Sequence, residues 1–249
     1  MNTTLSAGPH YLLRGFRLIL APGVRRYVFV PVLLNVVVFA LLIGFGFNQF
    51  GHLIDWLLSF LPGWMDWLAW LLWPLFAVIA LVFIFFSFTL LANLIGAPFN
   101  GLLAEAVEQH ITGYRTTDQA WAKMLAELLP SIFNELKKIA YFIAWAIPLL
   151  ILFLIPGINL IAPLLWLLFS GWILSLQYLD YPMANHGHSF AEQRRILAQK
   201  RLPVLSFGLA TLLATIIPFV NFLIMPAAVA GATLMWLELF PKTAAVSAR

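Results

Sequence analysis

Two stretches of this sequence run the length of a membrane crossing without a charged side chain: Tyr27 to about Phe50, and Leu68 to Pro98. A helix rises ~1.5 Å per residue, so each can span a hydrocarbon core of ~30 Å. The rest of the chain is nearly as apolar. Hydrophobic residues make up 63% and charged residues 10%, where soluble domains hold about 45–50% and about 25%. A soluble fold of 249 residues has nowhere to bury that surface. The reading is an all-α integral membrane protein, a single membrane domain over 1–249, with the lipid bilayer as its solvent.

The segments follow from the breaks. Residues 1–26 hold a short amphipathic helix, His10–Leu20, that ends at Ala21-Pro22-Gly23. The first long span, 27–50, leads into an interfacial loop, 51–67, with Asp55, Asp66, the break Pro62-Gly63 and tryptophans of the kind that collect at headgroup level (Trp56, Trp64, Trp67, with Trp70 beyond). The second long span is 68–98, and 99–138 reads as cytoplasmic amphipathic helices. From 139 to 181 and from 203 to 240 the pattern is a helical hairpin, with the polar segment 182–202 between. The two turns share a weak internal repeat, Ile155-Pro156-x-Ile158-Asn159 and Ile217-Pro218-x-Val220-Asn221.

Neither turn carries a charge, and the arms of about 15–17 apolar residues sit at or below the short end of the spanning range. Two arrangements fit. Either the hairpins enter the membrane and turn back inside it, where freed backbone must be buried or face a wet cavity, or they are pairs of short full spans with a tight outer loop. In both, every Lys and Arg falls on one face of the bilayer and none lies in 51–67. The excess of basic residues on cytoplasmic loops makes that face cytoplasmic, with both termini inside.

The chain has no Cys, which excludes a disulfide framework, a thiolate metal site and a Cys nucleophile. The N-terminus lacks the layout of a cleavable signal peptide. The net charge of +4 is too small and too closely tied to membrane borders to suggest nucleic acid. No hydrolase, P-loop, dinucleotide or zinc motif is present. The reading is therefore not an enzyme, with no cofactor and no metal. His186 and His188 lie in a polar stretch without an adjacent carboxylate and read as loop residues.

One loop has chemistry of its own. Pro22-Gly23-Val24-Arg25-Arg26 directly precedes the first long span, so the opening amides of that helix and its dipole face the loop. Gly23 allows an anion close to the backbone, and Arg25 and Arg26 supply planar donors suited to a tetrahedral oxyanion. The alternative is that both arginines reach to lipid headgroups and set topology. A second cluster is Asn100-Gly101-Leu102-Leu103-Ala104-Glu105, with Glu108 and His110 beyond. Here Pro98 and Gly101 are expected to break the span and Glu105 to open a new helix, where a carboxylate suits the dipole. The amides of Asn35, Asn93, Asn159 and Asn221 lie within apolar runs, as glue between helices or as the lining of a route.

Taken in order, Pro22–Arg26, Ala97-Pro98-Phe99-Asn100-Gly101-Leu102-Leu103-Ala104-Glu105, Ile155-Pro156-Gly157 and Gln177-Tyr178-Leu179-Asp180-Tyr181-Pro182 resemble the bacterial sulfate permease CysZ family over nearly the whole chain. The resemblance implies an inner-membrane homo-oligomer that brings sulfate into the cytoplasm for cysteine synthesis. It implies two long transmembrane helices and two hairpins that only partly penetrate. It places sulfate at Gly23, Val24, Arg25 and Arg26, and the Gly101–Glu105 element, with Gly101, Leu102 and Glu105, near the conduction route; His110, Asn35, Asn93 and Asn221 are further pore candidates from the reading of the residues themselves. The rival reading is a non-transporting scaffold or accessory subunit of a separate permease.

Overall fold

The computed structural model describes residues 7–60, 63–65, 67–113 and 128–241, and within these not the side chains at 35, 57–58, 65, 69, 80, 83–98 and 128–135. Among the described residues there is helix and turn but no strand. The helices are α1 (Ala7–Leu18), α2 (Arg26–Leu58), α3 (Trp67–Thr112), α4 (Leu128–Leu154), α5 (Ala162–Asn185), α6 (Phe190–Leu197), α7 (Arg201–Thr215) and α8 (Pro218–Leu239). Among the described residues five stretches are long and apolar enough to cross a membrane: Arg26–Trp56, Leu136–Leu154, Ala162–Asn185, Phe190–Thr215 and Pro218–Leu239. This is a multi-pass, all-helical membrane protein.

The chain divides into two compact units, Val28–Phe99 and the remainder. In the first, α2 and α3 are joined through a short 3-10 turn, Gly63–Met65. Phe50 stacks on Phe76 with ring centres 3.7 Å apart, and Trp73 meets both Phe47 and Phe50. Elsewhere α2 exposes Leu33, Leu41, Phe45 and Phe47. That inverts the rule for soluble proteins and suits a lipid solvent. With 33 residues α2 is about 50 Å long, well beyond a ~30 Å core. The helix accordingly runs on to Leu58, through half of the stretch read as a loop.

In the second unit, α4 and α5 form one antiparallel pair and α7 and α8 another, with α1 packed on α7 and α8. Trp236, Phe207, Leu179, Met183 and Leu197 are fully buried. Small residues bring helices close. A Cβ on Gly208 would strike the backbone of Gly171, and one on Gly15 would strike the carbonyl of Ala227. In lipid, helices associate largely by such close packing, which small residues permit. Ser175 adds a buried hydrogen bond from its hydroxyl to the Val204 carbonyl.

Three sequence expectations need correction. The hairpin arms are longer than read: the apolar part of α4 has 19 residues, α5 has 24 and α8 has 22, with only α7 as short as 15. The second turn lies one step earlier, at Ile216-Ile217, because Pro218 starts α8, where its missing N–H costs nothing. Finally, α3 runs unbroken through Pro98 and Gly101 to Thr112, so Glu105 lies inside a helix and not at its start.

The hairpin turns satisfy part of their own backbone. At the first, the amides of Ile155, Asn159, Ile161 and Leu165 donate to the carbonyls of Leu152, Ile155, Ile158 and Ile161. Gly157 takes φ +86°, which suits a residue without a Cβ. At the second, the amides of Ile216, Ile217 and Asn221 donate to Leu213, Ala214 and Ile217. Both tips display large apolar side chains: Leu160 is 83% exposed and Phe219 87%.

Candidate anion-binding site

Between α1 and α2 the chain makes a tight turn. The Ala21 carbonyl accepts from both the Val24 and the Arg25 amides at 3.1 Å, and the Tyr27 amide donates to the Val24 carbonyl at 3.0 Å. Gly23 holds φ +87°, the left-handed value this turn requires, with open space where a side chain would stand. Val24 is completely buried and Ile19 nearly so, which pins the turn from within. Arg25 and Arg26 are exposed. Arg26 donates from Nη2 to the Tyr27 hydroxyl at 3.0 Å, with its guanidinium 4.8 Å from the ring centre. Among the described residues no carboxylate pairs with either arginine.

This geometry brings Gly23, Arg25 and Arg26 together on an accessible turn next to the N-terminus of α2. It also reassigns part of the donor set. The Val24 and Arg25 amides are already committed to Ala21, so the donors left to an incoming anion are the two guanidinium groups and the Gly23 and Arg26 amides. Val24 serves by its buried side chain, as the anchor. Two planar cations on a short turn can hold a doubly charged oxyanion through paired N–H···O bonds.

The second cluster lies on the last three turns of α3. Asn100, Leu103, Ala104, Val107 and Glu108 are buried, a helical stripe with a polar residue at each end. Asn100 donates from Nδ2 to the Tyr181 hydroxyl at 3.2 Å, and Asn185 donates to the Gly101 carbonyl at 2.9 Å. Glu105 is half-buried, while Leu102 and His110 are on the outside of the stripe. Asn221 is exposed in the first turn of α8, and the side chains of Asn35 and Asn93 lie outside the described residues.

Glu108 has the partner that the sequence reading missed. His186 Nε2 sits 3.0 Å from both of its carboxylate oxygens, in a buried pair beside Trp236. His186 is therefore part of the protein interior. Nearby His188 is partly buried, and that burial lowers its pKa against the pull of Glu192. Asp180 is held by Lys138 and by Gln193, whose Nε2 donates at 2.8 Å. Helical spacing was the available signal: His186 follows Tyr178, Leu179, Pro182 and Met183 on one buried face of α5 and its end.

The model of the family described as sulfate transporter CysZ/etoposide-induced protein 2.4 matches residues 11–226. Among curated relatives, a protein of Pseudomonas fluorescens strain Pf-5 is 50% identical over 242 residues, covering 96% of both chains. One from Pseudomonas aeruginosa is 47% identical over 233 residues, 93% of this chain and 95% of the relative. One from Pectobacterium atrosepticum is 40% identical over 240 residues, 96% and 87%. Each of the three is named sulfate transporter CysZ. On this match over nearly its whole length, the chain belongs to the sulfate transporter CysZ family.

Proposed function

We propose that this protein takes up sulfate across the bacterial inner membrane, as a channel-like or secondary transporter supplying sulfate assimilation and cysteine synthesis. The observation that carries the reading is identity of 40–50% along nearly the whole chain to relatives named as sulfate transporters. The Gly23–Arg26 turn supports it with chemistry suited to a doubly charged tetrahedral anion. Sulfate is captured there by Arg25, Arg26 and the free amides, and passes along a route flanked by the Gly101–Glu105 element. The scaffold reading has no observation in its favour.

In this account both termini and the basic residues face the cytoplasm, and the protein works as a homo-oligomer. The α4–α5 and α7–α8 hairpins turn within the membrane. Two features support that: the tips expose leucine and phenylalanine where an aqueous loop would expose polar groups, and several of the turn amides are bonded within the turn, which hydrocarbon favours. The direct test is equilibrium sulfate binding to the purified protein. Saturable binding that weakens on replacing Arg25 supports the site; binding unchanged in Arg25→Ala/Arg26→Ala places sulfate elsewhere.

A further inference from the structure

The anion turn is held at one end by α1, and α1 is docked on α7 and α8 through glycines at the closest approaches, with Tyr11 and Leu12 buried beside them. Gly8 backs onto Ser206 and Phe207, Gly15 onto Ala227 and Gly231, and Gly231 onto the Tyr11 carbonyl. Such contacts set how closely the helices approach. A one-residue slip of α1 would carry the turn ~1.5 Å along the helix axis.

Glu238 is the polar group at this junction. Its Oε2 accepts from the Tyr11 hydroxyl at 3.0 Å, and its Oε1 lies 2.7 Å from Arg14 Nη1. Tyr11 and Arg14 are three residues apart, so one carboxylate grips two successive positions on one side of α1. Glu238 is also the penultimate residue of α8, where the negative end of the helix dipole disfavours a carboxylate. The ion pair is more than a third exposed on both sides, and such pairs add little stability. Its effect is expected on the fine placement of α1 and not on whether the helix docks. The Tyr11 hydroxyl, pushed up to about 12 by burial and by Glu238, remains a donor throughout the physiological range.

We infer that Glu238, through Tyr11 and Arg14, is a positioning residue that sets the register of α1 and so places Arg25 and Arg26 for sulfate. The inference rests on the sulfate reading above. It does not touch the anion; it acts through α1, Ile19 and the buried Val24.

The experiment compares native protein, Glu238→Gln and the exchange Arg14→Glu/Glu238→Arg, in proteoliposome sulfate uptake and in thermal unfolding. In Glu238→Gln the expected result is a KM about three- to tenfold higher, with Vmax and melting temperature close to native. The exchange should bring KM back towards native. A purely structural role would lower the folded fraction and Vmax while leaving KM alone. Folded Glu238→Gln with native KM overturns the inference, as does a folded exchange variant whose KM stays raised. Because the chain has no Cys, a spin label on Pro22→Cys reports on the turn without any transport. Its mobility should rise in Glu238→Gln and fall again in the exchange. If native protein moves no sulfate, the sulfate reading fails, and the spin label still decides whether Glu238 positions the turn.

Discussion

At the residue scale the two arginines of the turn differ. Arg26 already has a partner in Tyr27, whereas Arg25 has no such bond among the described residues. Arg25 is thus the freer donor, and its planar fork is what an ammonium cannot reproduce. Arg25→Lys is expected to weaken sulfate binding severalfold and Arg25→Ala about tenfold or more, measured by titration calorimetry. The buried pair behaves differently. Removing the carboxylate in Glu108→Ala leaves the His186 N–H without an acceptor, at a cost of about 1–3 kcal/mol, and a lower melting temperature should report it. Glu108→Gln, which keeps an acceptor oxygen, should lose less. His188 gives a pH signature. Its folded pKa lies below 6.5, so on acidification the unfolded chain binds the proton first. Stability from this group is present above ~6.5 and is lost as pH falls towards the folded value. Replacing His188 with Gln should flatten that part of the melting-temperature profile.

At the element scale, what could be read in advance was whatever depends on local composition. The absence of charge over Tyr27–Phe50 announced a long helix, and Gly23 before two arginines announced a turn that can approach an anion. What escaped was set by tertiary partners. Pro98 and Gly101 look like breakers, yet α3 continues through both, as membrane helices tolerate Pro and Gly better than soluble ones. His186 and Glu108 lie far apart in sequence, and only the fold brings them within hydrogen-bonding distance. Even so, each stands on an apolar helical stripe, where a polar group needs a partner. The hairpin tips are the element whose placement is most open to measurement. In a chain without Cys, single substitutions Leu160→Cys and Phe219→Cys should resist a membrane-impermeant maleimide added from either side, whereas Trp64→Cys should label from outside. Rapid labelling at the tips would mean that they emerge into water.

At the scale of the whole molecule, the exposed apolar side chains suit a multi-pass membrane protein, and the proposed placement of the basic residues on one face would suit collecting an anion at its margin. The turn alone would be an ordinary topogenic pair of arginines. The buried Val24, the packed α1 and the family match together support the proposal that it is a site. The claim that this site serves sulfate uptake is tested most directly by radiolabelled sulfate flux into proteoliposomes, comparing native protein with Arg25→Ala/Arg26→Ala at sulfate levels below saturation. The account predicts saturable uptake by the native protein and uptake near that of empty liposomes for the variant. Native protein that unfolds cooperatively at its normal temperature yet moves no sulfate, or a variant that moves it as fast as native, would contradict it.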